Sequence, residues 1–250
     1  MLFSSSKTNG AGQSGHRIAA SMCAACGVRP LSMCASLDDA GQAELEALLV
    51  PVALMSGDIL FDEGATATQS FNLTEGCLKL YKLLPDGRRF ITDFLYPGDF
   101  LGLADQQAYA CTAEAVGAAR LCKFERKALD NLVQRHSCLE RHLLDRARAE
   151  LSDGREQLLM LGQKTARERV ASFIMGQSAK AKQRNLSATT VETPMRRADI
   201  ADHLGLTTET VSRTLTNLTN DGLIGVEAGR RIIIRDAVTL AALAAGHEAA

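Results

Sequence analysis

Between Pro51 and Leu129 the apolar residues come in short runs, broken by glycine at Gly57, Gly64, Gly76, Gly87, Gly98 and Gly102. Two of these runs are "CLKLYKLL" (77–84) and "RRFITDFLY" (88–96). Runs of this length bounded by turn residues predict strands, and strands at near-regular spacing predict a sandwich, barrel or jelly roll. The "PDG" at 85–87 predicts a tight hairpin turn between the two.

The period then lengthens. "LERHLLDRARAELSDGREQLLMLG", 139–162, reads as helix. Leu144, Ala147, Leu151, Gly154, Leu158 and Leu161 recur at alternating steps of three and four, a heptad seam that lets two chains pair along their helices. Gly154 weakens that seam, lowering helix propensity by ~1 kcal/mol relative to Ala and contributing no side chain. A second helix is predicted in "TARERVASFIMGQSA", and the polar "KAKQRNLSATTVETP" predicts a helix end and a loop.

In "RRADIADHLGLTTETVSRTLTNLTNDGLI", 196–224, Ile200, Ala201 and Leu204 form one inner face, and Val211, Leu215 and Leu218 another. Gly205 permits a sharp turn between them, and Thr207 or Thr208 can cap the second helix. Two short helices joined by a glycine turn make a helix-turn-helix. "DGLIGVEAGRRIIIRD" adds two strands around Ala228-Gly229, a wing. Glu209, Ser212 and Arg213 share the outward face of the second helix at i, i+3 and i+4, with Thr208 beside them. Arg213 can donate twice to a guanine edge, Glu209 can accept from a cytosine amino group, and Ser212 can bond either way. Arg196, Arg197, Arg230 and Arg231 are expected at phosphates, which position a protein without specifying sequence.

Charge agrees with this placement. The chain of 250 residues is close to neutral, at −1, yet residues 163–235 carry twelve Lys and Arg against seven Asp and Glu. A basic segment in an otherwise acidic chain suggests a polyanion partner. Hydrophobic and charged fractions of 46% and 23% are ordinary for a globular protein. No run approaches the ~18 apolar residues of a membrane span. The start, "MLFSSSKTNGAGQSGHR", is polar and glycine-rich, unlike a secretory signal, and is read as a flexible tail. The expected location is the cytoplasm.

In that compartment disulfides are rare, and clustered cysteines more often bind metal or act in redox chemistry. "SMCAACGVRPLSMCASL", 21–37, holds three thiols, Cys23, Cys26 and Cys34. Three leave one over from a disulfide and fall one short of a tetrahedral metal site. Cys77, Cys111, Cys122 and Cys138 are the candidates for a fourth.

The order of parts, with "TARERVASFI" and "LGLTTETVSRTL" as its tightest local matches, resembles the CRP/FNR superfamily of bacterial transcription regulators over about 21–246. The resemblance implies an α+β fold. It consists of a cyclic-nucleotide-binding-like β-roll (jelly roll), a long dimerisation helix and a C-terminal winged helix-turn-helix. The expected divisions are a tail at 1–20, a cysteine segment with a short helix at 21–50, the β-roll at 51–134, the dimer helix at 135–162 and the DNA-binding domain at 163–250. The cysteine spacing resembles the FnrN/FixK-like members of the FNR (fumarate and nitrate reduction) branch, oxygen sensors that bind a [4Fe–4S] cluster through three N-terminal cysteines and one from the β-roll. There the fourth ligand lies in a "V-C-x-[IF]-P" context. "RLCKFERKALDNL" matches it at Cys122, except that Glu125 replaces the proline; Cys111 is the second choice. Cys77 and Cys138 are expected as buried small hydrophobes. Fe–S clusters favour thiolate ligands. A structural zinc would take the same four, although its usual paired C-x2-C pattern is absent.

The resemblance further implies a homodimer, a palindromic operator such as TTGAT-N4-ATCAA, and RNA polymerase as a partner touched by the "LLPDGRR" hairpin. A cyclic-nucleotide-binding relative would carry an arginine–serine pair that "YPGDFLGLADQQAYACTAEAVG" lacks. A haem sensor or cupin enzyme would want histidines, and none lies between His16 and His136, although Cys can ligate haem too; the alternative is a CRP-like regulator sensing a cyclic nucleotide, haem or nitric oxide, with the cysteines holding zinc or nothing. No nucleophile–base constellation stands out, so no enzymatic activity is expected.

Overall fold

The computed structural model describes residues 22–102, 107–227 and 230–247. The 1–20 tail and the wing tip at Ala228-Gly229 lie outside these.

Two short 3-10 turns, Arg29–Leu31 and Met33–Ser36, carry the chain from the cysteine segment into helix α1 (Asp39–Ala47), capped by the Asp38 carboxylate. Eight strands then build the predicted roll. β1 (Val50–Leu54), β8 (Ala119–Glu125), β3 (Gln69–Glu75) and β6 (Phe100–Leu101) form one antiparallel sheet. β2 (Ile59–Phe61), β7 (Thr112–Ala115), β4 (Leu78–Leu83) and β5 (Arg89–Leu95) form the other. Phe71, Leu73, Leu78, Ala113 and Leu121 fill the space between them. The β4–β5 hairpin closes through Leu83 opposite Arg89, with Gly87 at φ 85°, a value that explains glycine in "PDG".

After β8 comes α2 (Arg126–Arg135), a helix the sequence pattern did not suggest, and then α3 (Ser137–Gln163). Leu129 and Leu132 of α2 and Leu139 of α3 join Met33, Leu37 and Leu45 in one buried cluster on the outer face of β8. The cysteine segment therefore packs against the start of the long helix.

α4 (Ala166–Gln183) begins with a capping box between Thr165 and Glu168. The polar stretch behind it contains β9 (Thr190–Glu192), a strand where a loop was expected. β9 completes a sheet with β10 (Ile224–Glu227) and β11 (Arg231–Ile234). α5 (Arg197–Leu204) and α6 (Thr208–Asn220) are separated by Gly205 at φ 62°. Ile200, Leu204, Val211 and Leu218 are buried, and α7 (Ala237–Ala244) closes the core behind them.

The DNA-binding half docks on the outer face of β4 and β5. Tyr81, Ile91 and Phe94 belong to the same apolar cluster as Phe173, Ile200 and Val211. Within this contact lies an ionic network. The buried Asp199 carboxylate accepts from Lys79 Nζ at 3.2 Å and Arg89 Nη2 at 2.7 Å, and its other oxygen accepts from the Arg196 backbone N–H. Lys79 also meets Glu114 at 2.9 Å, its cross-strand neighbour, and Arg89 Nε donates to Asp202 at 2.9 Å. Arg169 donates to the carbonyls of Leu161, Lys164 and Leu204, tying the ends of α3 and α5 together. Those carbonyls have no partner inside their own helices.

Removing one member of a buried ion pair costs about 3–5 kcal/mol, because the other charge is left without compensation. Asp199→Ala is expected to lose stability on that scale in a urea titration, and Lys79→Met added to it should recover part. A loss of about 1 kcal/mol or less, the surface value, would mean that the network is not desolvated.

His203 supplies a second prediction. Its ring lies edge-on to Phe94 and Phe173, and its Nδ1–H donates to the Ile91 carbonyl. Burial holds its pKa below the ordinary 6.5. The unfolded chain then binds the proton more readily, so stability is full above about pH 6.5 and falls as pH drops below it. His203→Gln should flatten that fall between about pH 6.5 and pH 5, read as the midpoint of urea unfolding.

Candidate functional site

On α6 the capping oxygen of Thr207 accepts from the Thr210 N–H. Thr208, Glu209, Ser212 and Arg213 are all exposed on its outer face. Among the described residues no ion pair joins Glu209 and Arg213, and both side chains are exposed. Ser212 is more constrained than its sequence suggested. Its hydroxyl donates to the Thr208 carbonyl at 2.9 Å, which leaves only its lone pairs for a base. Arg196 and Arg230 are exposed and Arg197 is half-buried. Arg231 departs from a free phosphate ligand: its guanidinium pairs with Glu192 at 2.8 Å and lies 4.0 Å from Glu227.

The long helix shows a bare apolar stripe. Leu144, Leu151 and Leu158 are 49%, 59% and 74% exposed, values that demand a covering surface. Ala147 is partly exposed, and a Cβ at Gly154 would touch nothing. Leu161 behaves differently, since it packs on the core of its own DNA-binding half. Leu159, absent from the predicted seam, is exposed.

At the other end of the molecule, Cys23, Cys26, Cys34 and Cys122 line one small hollow that opens to solvent. The backbone at each cysteine is held by a different contact. The Cys23 N–H donates to Glu46, and the Cys26 N–H donates to the Cys23 carbonyl. Gln42 Nε2 donates to the carbonyls of Cys34 and Leu37, fixing the second 3-10 turn. Cys122 lies in the middle of β8, opposite Pro51 on one side and Asn72 on the other.

Burial pushes the Cys23 thiol up to about 11 and Cys122 to about 12, and it raises Cys34. Next after burial at Cys122 come the charges of Cys34, Cys23 and Cys26. Four thiolates here would repel one another, so ionisation requires a cation among them.

Cys111 lies elsewhere: its charged neighbours are Lys82, Glu63 and Glu150. Cys77 is buried in the interdomain cluster, as expected. Cys138 is not, because it sits exposed on the first turn of α3.

Among the described residues no three His, Cys, Asp or Glu side chains converge closely enough to chelate a single ion. The four thiols line one hollow without forming such a group. Leu45, Leu49 and Phe124 form apolar walls between them, and the buried Asn72 Oδ1 has no hydrogen-bond partner. The chemistry of this lining suits a soft, thiolate-preferring group. Gln42, Asn72 and Arg29 were not singled out from the sequence, since a lone amide or arginine carries no spacing signal.

Residues 51–136 match the cyclic nucleotide-binding domain family, and residues 168–243 match the Crp-like helix-turn-helix domain. The nitrogen fixation regulation protein FixK of Bradyrhizobium diazoefficiens is 40% identical, over 89% of this chain and 94% of its own. The chain belongs to the CRP/FNR family of transcription regulators. The transcriptional activator protein FnrL of Cereibacter sphaeroides is 33% identical, over 86% of this chain and 88% of its own. The structure of FixK2 from Bradyrhizobium japonicum superposes with a TM-score of 0.73 at 32% identity, covering 78% of this chain and 96% of that one. The chain is thus a DNA-binding activator of the FNR/FixK type, in a family of dimeric regulators rather than enzymes. No helix among the described residues is long and apolar enough to cross a membrane.

Arg213→Ala should cost about 1–3 kcal/mol of specific binding and relax the preference at one base pair. Arg230→Ala should weaken all sequences alike and reduce the salt slope by about 1. Arg231→Ala should do less than Arg230→Ala, because its charge is already paired. Titrations of matched and mismatched operators at several salt concentrations check all three.

Proposed function

We propose that this regulator works in the cytoplasm and responds to oxygen through a [4Fe–4S] cluster held by Cys23, Cys26, Cys34 and Cys122, with Cys111 taking no part. The observation that carries the reading is the hollow itself, in which thiols from two turns and one strand face a shared space that their own charges cannot fill. When bound, the cluster supplies an oxygen-labile link between the N-terminal segment and β8. The rest belongs to the chain. Met33 and Leu37 of the tied segment pack with Leu139 at the start of α3, so ordering this segment stiffens the base of the long helix. Leu144, Leu151 and Leu158 then meet a second copy. Pairing brings two α6 helices to the half-sites of an FNR-type palindrome, where the second half-site binds at high effective concentration. The exposed Leu83 and Leu84 lie on the hairpin that, in this reading, touches RNA polymerase.

Protein purified without oxygen should carry iron and acid-labile sulfide in equal amounts and show the Mössbauer spectrum of a four-iron cube. Changing Cys23, Cys26, Cys34 or Cys122 singly to Ser should abolish it, and Cys77→Ser or Cys138→Ser should not. Loss in Cys111→Ser with retention in Cys122→Ser would transfer the fourth ligand to Cys111. Zinc in place of iron would replace the sensor with a structural site.

Gly154 opens a gap in the seam, and Gly154→Leu should fill it. In sedimentation, the air-exposed variant should stay dimeric where the air-exposed wild type dissociates. A wild type that remains dimeric in air and binds its operator as tightly as the anaerobic form would end the switch mechanism.

A further inference from the structure

β3 alternates faces. Phe71 and Leu73 point into the roll and pack with Leu121, whereas Asn72 belongs to the opposite face and lines the thiol hollow. Asn72 stands directly across the ladder from Cys122, so the two side chains are nearest neighbours. Its other neighbour is Phe100 of β6, and Phe124 lies one step along the same face of β8. The rest of the lining is apolar apart from Gln42, whose amide donates to the Cys34 and Leu37 carbonyls, and Arg29, which lies 3.9 Å from Asp39.

An amide at this position is costly. Asn72 is 2% exposed, and its Oδ1 meets no donor. An unsatisfied buried amide costs about 1–3 kcal/mol, and a leucine of similar size would avoid that. Nothing else in the roll uses the group. Among the described residues nothing satisfies that oxygen, so no internal bond stops the amide from turning its Nδ2–H toward the hollow.

The chemistry of a partner there follows from what an amide offers. A bound group ringed by thiolate sulfur is rich in acceptors and holds no donor, so an amide serves it through its Nδ2–H. The oxygen and nitrogen of an asparagine exchange places by rotating about χ2, with no cost in shape.

We infer that Asn72 is a positioning residue for the cluster, resting on the reading above. With the cluster bound, its Nδ2–H donates to the Cys122 sulfur or an adjacent sulfide. That bond withdraws electron density from the sulfur and makes the cluster harder to oxidise. Hydrogen bonds to the sulfurs are among the determinants of cluster potential. Outer partners of this kind change metal affinity or activity by ~10- to 100-fold. Asn72 therefore sets how much oxygen the regulator tolerates.

The test compares wild type, Asn72→Leu and Asn72→Asp as full-length protein reconstituted without oxygen. Asn72→Leu should load iron and sulfide to the wild-type ratio. Its cluster should show a lower reduction potential and a shifted Fe–S(Cys122) stretch in the resonance Raman spectrum, and it should bleach in air ~10-fold faster. Asn72→Asp keeps the shape and an acceptor but loses the donor, and should share the faster bleaching. In the metal-free state Asn72→Leu should be at least as stable to urea as wild type, because no internal partner is lost. Wild-type potential, Raman stretch and bleaching rate in Asn72→Leu would overturn the assignment. So would a metal-free Asn72→Leu that unfolds more easily than wild type, since Asn72 would then have a structural partner. A wild type that assembles no iron–sulfide group fails one step earlier, at the cluster reading, and takes this assignment with it.

Discussion

One carboxylate joins the two halves of this molecule. Asp199 sits at the third position of α5, where it returns a hydrogen bond to the chain entering the helix, and it also accepts from a lysine and an arginine of the β-roll. Burying two cations and three carboxylates is expensive unless each finds its partners. Here each of the five does, through Lys79–Glu114, Lys79–Asp199, Arg89–Asp199 and Arg89–Asp202. Such a network adds less to stability than an apolar contact of equal size would. Its contribution is orientation, because Ile200 and Leu204 could slide on Tyr81 and Phe94, whereas the charges cannot. The helix-turn-helix is therefore held by its first helix, with the recognition helix left on the free side.

The thiol hollow obeys the opposite electrostatic rule. In the interdomain network, charges are buried because they are matched. In the hollow, charge is withheld because it is not: burial and mutual repulsion keep Cys23, Cys34 and Cys122 protonated. A cation bound by these thiols would have to displace their protons, so its affinity would rise with pH. The lone amide of Asn72 is a second unmet demand in the same place.

Local features were legible in the sequence, and those created by distant contacts were not. Gly205 and Thr207 mark the turn and cap of the helix-turn-helix through their own backbone chemistry, so those elements appear from 29 residues of text. The same holds for the β4–β5 hairpin. β9 was missed because its three residues, Thr190, Val191 and Glu192, bury only the valine and acquire their strand form from β11. α2 was missed because it follows β8 without a break and buries only Leu129 and Leu132. The heptad reading included Leu161, since periodicity shows that a residue is covered but not by which chain. The three N-terminal thiols were visible as spacing. The convergence of Cys122 on them required the register of β8, and the Asp199 network spans 120 residues, beyond any local pattern.

These pieces give α3 an unusual mechanical position. Its first turns are fixed by Leu139 in the cluster that also holds Met33, and its last turns by Met160, Arg169 and the Gln157 bond to the His203 carbonyl. Between those anchors the helix shows an uncovered row of leucines and a gap at Gly154. A rod pinned at both ends conveys rotation better than a free helix does, because it cannot dissipate a shift by fraying. Any rearrangement of the cysteine segment moves the lower anchor, and the upper anchor carries α5 and hence α6. The seam between the anchors decides whether two such rods align. A weak seam makes that decision sensitive to the lower anchor, whereas a tight one would pair the chains regardless of what the thiols hold. In the proposed switch, the small residues Ala147 and Gly154 are therefore as much a part of the response as the cysteines are.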